Sequence, residues 1–131
     1  MTKLPTDLAL FNYLYREYEA PFRDFDTKSR PTKMYVPIDL TKTATHFHLD
    51  PDLIYARFLY YLEEKYSIKR ERGPGVSLFL EMNGSLCVNY PYLSAIVADL
   101  RVGFRKELFI LSASLVAVAI SIIALLISVV K

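Results

Sequence analysis

His46, His48 and Asp50 alternate along a short stretch of this chain and are the first residues whose types could do chemistry. Two imidazoles and a carboxylate converging in a turn could begin a zinc site. The chain has only 2 histidines and no cysteine nearby, and Asp50 stands where a helix needs a cap. A partly buried turn histidine is the simpler expectation. Cys87 is the 1 cysteine, which excludes an intramolecular disulfide and a CxxC metal site. With Leu86 and Val88 beside it in a strand pattern, it reads as packing rather than as a nucleophile. Gly73 and Gly75 flank Pro74, but no Lys-Ser/Thr follows them, so no phosphate loop is expected. Asn83–Gly84–Ser85 matches a glycosylation sequon, yet the same residues make a hairpin turn, the simpler reading. No nucleophile elbow or carboxylate pair stands out. The expectation is a protein with no catalytic residue, no cofactor and no metal.

Two surfaces remain that could bind something. Lys69, Arg70 and Arg72 are candidate phosphate contacts, though Glu71 interrupts them. The chain also carries 10 tyrosines and no tryptophan. Tyr13, Tyr15, Tyr55, Tyr60, Tyr61 and Tyr92 fall in expected helices where not all of them can be interior. Exposed tyrosine suits protein interfaces, having a large apolar ring with a polar tip. Tyr55, Leu59 and Tyr60 form the candidate protein-binding face. Asp50, Asp52, Glu63 and Glu64 outnumber Arg57 and Lys65 on the same helix and would repel a phosphate backbone.

These residues need elements to hold them. Leu8, Phe11, Leu14, Tyr15 and Tyr18 share a face of a helix expected from about Thr6 to Glu19, stopped by Pro21. Met34 to Pro37 suits a short edge strand. Asp39 caps a helix over Leu40–Phe47. Asp50, Pro51 and Asp52 then start a longer one to about Tyr66, with Ile54, Phe58, Tyr61, Leu62 and Lys65 on one face. Asn83–Gly84 joins strands expected at Val76–Met82 and Ser85–Tyr90, and Val76, Leu78, Leu80 and Met82 mark the apolar side. Pro91 opens an amphipathic helix with a stripe of Leu93, Ile96, Val97, Leu100 and Phe104, and Gly103 is a point where it could flex.

The order helix, strand, helix, turn, helix, hairpin resembles the winged-helix form of the helix-turn-helix fold over about Thr6 to Tyr90. Ala44, Leu49 and Ile54 match the small and buried positions around its turn. The sequence departs from that family at His48, where glycine is usual, and at Arg57, where an aliphatic is usual and Phe58 is the substitute. The resemblance implies an α+β fold and suggests DNA as a ligand. The acidic helix start makes DNA the secondary reading.

Leu108 to Val130 contains no charge and would span roughly 34 Å as a helix, against a hydrocarbon core of about 30 Å. It is read as a single transmembrane helix anchoring the protein by its C-terminal tail in the lipid bilayer. The N-terminal stretch lacks the apolar core of a signal peptide. Arg101, Arg105 and Lys106 precede the span and only Lys131 follows it, which places the N-terminus in the cytoplasm and the C-terminus across the membrane. Ala113, Ala117 and Ser121 recur every four residues and offer a face for a homodimer. Outside the span the charges nearly balance, with no general pull towards nucleic acid or anionic lipid, so any basic function must be local.

The expected organisation is a cytosolic domain over 1–90, a juxtamembrane helix over 91–107 and the span over 108–130. The short connection keeps that domain close to the bilayer and favours partners already there. The function expected is a membrane-tethered protein-binding or adaptor module, its partner a cytoplasmic or membrane protein. The alternatives are a membrane-bound DNA-binding regulator and a small accessory subunit of a membrane complex.

Overall fold

The computed structural model describes residues 3–131, so the first two positions of the expected 1–90 domain lie outside the described residues. Helix α1 spans Asp7–Glu17 and begins where the Thr6 hydroxyl accepts the Ala9 N–H at 3.1 Å. Leu10, Phe11 and Leu14 are its buried residues, and Tyr18 follows them inward, while Leu8 and Tyr15 are only half-buried. The helix ends two residues earlier than expected. Pro21, expected to stop it, instead sits third in a separate helix, α2 (Glu19–Arg23). Its missing N–H costs nothing in a first turn, where that donor would have no partner.

Strand β1 is Tyr35–Pro37 and helix α3 is Leu40–Phe47, with the Asp39 carboxylate accepting the Lys42 N–H at 3.0 Å. His48 ends α3 with φ 55° and ψ 42°, in the left-handed region. This explains why a glycine would be natural there; histidine tolerates the position at a cost of about 1 kcal/mol. Helix α4 (Pro51–Ala56) starts on the Asp50 cap, continues as a π-helical turn over Arg57–Leu62, and finishes as α5 (Glu63–Tyr66). The wider π-turn keeps residues four apart in line. Ile54, Phe58 and Leu62 are accordingly buried, whereas Tyr61 and Lys65, expected on the same face, are turned out to solvent.

Strands β2 (Phe79–Met82) and β3 (Ser85–Asn89) join β1 in a three-stranded antiparallel sheet of order β1-β3-β2. Asn83 and Gly84 take φ 52° and 79°, the two positive angles of a type I′ turn. The first hairpin strand is shorter than expected, and Val76 instead exchanges two 2.9 Å hydrogen bonds with Ile68. Its apolar side also differs. Phe79 is buried and stacks on Phe58, with centroids 4.8 Å apart and planes 6° from parallel, while Leu80 is 39% exposed. The larger ring takes the core position because it meets an aromatic partner there.

Gly75 closes the base of this hairpin. A Cβ on it would lie 2.3 Å from the Ile68 carbonyl oxygen, which is backbone and has little freedom to move. Gly75→Ala is expected to break the Ile68–Val76 bridge and destabilise the fold by about 1–3 kcal/mol. Amide exchange should then accelerate at Ile68 and Val76 first. Unchanged protection at both would contradict the close approach.

The chain divides into two compact units, the first ending at Val97 and the second covering Ala98–Lys131. Helix α6 spans Tyr90–Val130 and includes Gly103 as ordinary helix. Of the expected stripe, Leu93, Ile96 and Val97 are buried, Leu100 is half-exposed and Phe104 is exposed. Packing therefore ends near Val97. Beyond it α6 is long and apolar enough to cross a membrane, and its most apolar stretch is not buried within the protein.

Candidate functional site

The helix that begins after Asp50 carries three large, well-exposed apolar side chains. Leu53 is 57% exposed, Tyr60 70% and Tyr61 54%. Of the candidate face Tyr55, Leu59 and Tyr60, only Tyr60 is largely exposed. Leu59 is half-buried. Tyr55 packs edge-to-face on Tyr60, centroids 6.1 Å apart, and its hydroxyl donates to the Glu81 carboxylate on β2. That bond, then desolvation and the Glu81 charge, pushes the Tyr55 phenol up to about 12. Tyr55 therefore ties the helix to the hairpin while its ring braces Tyr60. Leu53 and Tyr61 are the other exposed apolar side chains of this helix.

Tyr61 has two cations near its ring. The Arg57 guanidinium lies 5.9 Å and the Lys65 ammonium 5.7 Å from its ring centroid. Both cations are fixed by Asp7 at the start of α1. Arg57 Nη2 donates to Asp7 Oδ1 at 2.9 Å, Lys65 Nζ to Oδ2 at 2.7 Å, and the Tyr66 hydroxyl to Oδ2 at 2.9 Å. Burial alone would raise the Asp7 carboxyl, but these three donors outweigh it and hold it below its usual range. The sequence gives no local sign of this group, since its members lie 50 to 59 positions apart.

Most other tyrosines are structural. Tyr18 accepts the Asp39 N–H at 2.7 Å, Tyr35 donates to the Ser77 carbonyl at 3.0 Å, and Tyr90 donates to the Tyr15 carbonyl at 2.7 Å. The Tyr92 hydroxyl donates to the Tyr66 carbonyl, and Tyr13 stacks on His46 at 4.3 Å. Heavy tyrosine use is thus largely a set of long-range ties, and it leaves Tyr60 and Tyr61 as the exposed rings of the helix.

The remaining candidates do not converge. Lys69, Arg70 and Arg72 are exposed, and Lys69 is ion-paired with Glu64. His46 lies in its tyrosine stack and His48 ends α3, both exposed and not partly buried as expected, and the Asp50 carboxylate accepts the Asp52 N–H at 2.8 Å. Among the described residues no three His, Cys, Asp or Glu side chains gather as a metal site requires. Cys87 is buried, and burial pushes its thiol up. Ala113, Ala117 and Ser121 are exposed on α6, where the Ser121 hydroxyl donates to the Ala117 carbonyl at 2.9 Å. No family model, curated protein or solved structure matches this chain, so its function is argued from the site itself.

Proposed function

We propose that this chain is a membrane-anchored protein-recognition module, a winged-helix-like unit on the cytoplasmic side of a bilayer that docks a partner through Leu53, Tyr60 and Tyr61. The observation that carries this reading is the exposure of those three side chains on one rigid helix. Aromatic anchors presented by a supported element are what protein interfaces use. The winged-helix likeness is supported by the element order, by β1 pairing with the hairpin strand β3, and by burial of Ala44 and Ile54 around the turn after α3; Leu49, expected to be buried there, is only half-buried. Anchoring is supported by the length and apolar character of α6, and the orientation by Arg101, Arg105 and Lys106 before the charge-free run.

DNA is the weaker reading. Asp50 and Asp52 occupy the helix start that would meet phosphate, and Lys69 is engaged by Glu64. The test is photo-crosslinking from position 59 of the full chain in its native membrane, followed by identification of the captured protein. Leu53→Ser with Tyr60→Ser should reduce capture of that protein at least about tenfold with no loss of folding. Salt-sensitive duplex binding, abolished by neutralising Lys69, Arg70 and Arg72, would replace this reading with a DNA regulator. Co-purification at fixed stoichiometry that survives the double substitution would instead indicate an accessory subunit.

A further inference from the structure

At about 100° per residue, Val102 and Phe109 lie nearly on one line along α6, with Arg105 roughly 50° to one side and Lys106 roughly 50° to the other. These residues and Ile110 line a surface groove of about 460 Å³ with an apolar floor between two cations. Neither cation takes part in an ion pair among the described residues. Glu107, the nearest acid in sequence, projects about 150° away round the helix. Lys106 stands only about 3 Å of helix rise before Leu108, where the charge-free run begins. In a bilayer the two cations therefore reach headgroup level while Phe109 and Ile110 enter the hydrocarbon.

The occupant that fits has an anion at the upper level and an apolar chain directly below it. A free phosphate would leave the floor uncovered, and a second copy of this helix would set cations against cations. We propose that Val102, Arg105, Lys106 and Phe109 form a site for an anionic phospholipid of the leaflet meeting the N-terminal end of the span. The phosphate lies between Arg105 and Lys106, and one acyl chain runs along Phe109 and Ile110. The near-neutral charge outside the span makes this a local site and not a general attraction to acidic membranes. The site rests on the anchoring reading above.

The test reconstitutes the full chain in phosphatidylcholine vesicles containing a minor fraction of phosphatidylglycerol. Flotation after an alkaline carbonate wash comes first, then the selectivity of the motionally restricted lipid shell for spin-labelled phosphatidylglycerol over phosphatidylcholine. The wild-type shell should favour the anionic lipid by roughly fivefold or more. Lys106→Glu with Glu107→Lys leaves net charge unchanged and should bring the ratio near parity. Arg105→Gln should lower it roughly fivefold, and Phe109→Ala should lower it without any change of charge. Inorganic phosphate at matched ionic strength should not compete; competition would assign the groove to free phosphate and overturn the lipid site. Selectivity unmoved by the Lys106/Glu107 exchange would show diffuse attraction and also overturn it. A chain that resists the wash but shows no preference sinks the lipid site alone. A chain that is washed off sinks the anchor and the site together.

Discussion

Phe58→Ala is expected to destabilise the folded unit by about 3–5 kcal/mol, most of the stability a domain of this size possesses. Phe58 is 0% exposed and sits between Ile54 and Leu62 on the buried side of the helix that runs from α4 through the π-turn. Its ring stacks on Phe79, so one side chain joins that helix to the first hairpin strand. Truncation loses the transfer energy of the ring and also opens a cavity that two elements of different kinds cannot close together. Phe58→Leu keeps much of the volume and should cost about 1–2 kcal/mol. Urea unfolding of the full chain in mild detergent should be followed by near-ultraviolet circular dichroism, because α6 remains helical in micelles and would mask a far-ultraviolet signal. A loss below about 1.5 kcal/mol for the alanine would mean that the Phe58–Phe79 stack is not the joint. A normal midpoint with raised exchange only in β2 would show that the hairpin packs independently of the helix.

The elements that the sequence reveals are those with local causes. Asp39 and Asp50 cap the helices expected after them, and Asn83–Gly84 makes the turn that its two positive φ values require. What it hides depends on distant partners. The π-turn over Arg57–Leu62 goes with Tyr61 and Lys65 turned outward while Ile54, Phe58 and Leu62 stay buried, a split that α-helical periodicity alone does not anticipate. The choice of Phe79 over Leu80 as the buried residue follows from Phe58, 21 positions earlier, and not from alternation within the strand. Tyr60 is outward as its helical position suggests, while the bond from Tyr55 to Glu81, 26 residues away, has no local sign in the sequence. Tyr61, expected on the buried side, is exposed because the faces of this helix follow the π-turn and the ion pairs to Asp7.

Asp7→Asn should lower stability at neutral pH by about 2–3 kcal/mol. Asparagine keeps the shape and an acceptor oxygen but removes the charge that three donors share. The cost falls mainly on Arg57, whose side chain is 25% exposed and whose buried Nε has no hydrogen-bond partner among the described residues. Lys65 is 47% exposed and contributes little, since solvent screens it. The pH dependence separates charge from shape. Asp7 is held below its ordinary 3.8, so the unfolded chain binds the proton more readily than the folded one. Its contribution is full above about pH 4 and is lost as pH falls through the folded value. The gap between wild type and Asp7→Asn should therefore be constant from neutral pH down to about 4 and shrink below that. Curves that stay parallel into acid would show that the asparagine acts by shape alone. The same substitution should disturb the docking face, because Arg57 and Lys65 flank Tyr61 only while Asp7 holds them. Reduced crosslinking from position 59 by Asp7→Asn, with Leu53 and Tyr60 intact, would thus link the stability of α1's first turn to recognition on the opposite side of the Arg57–Lys65 pair.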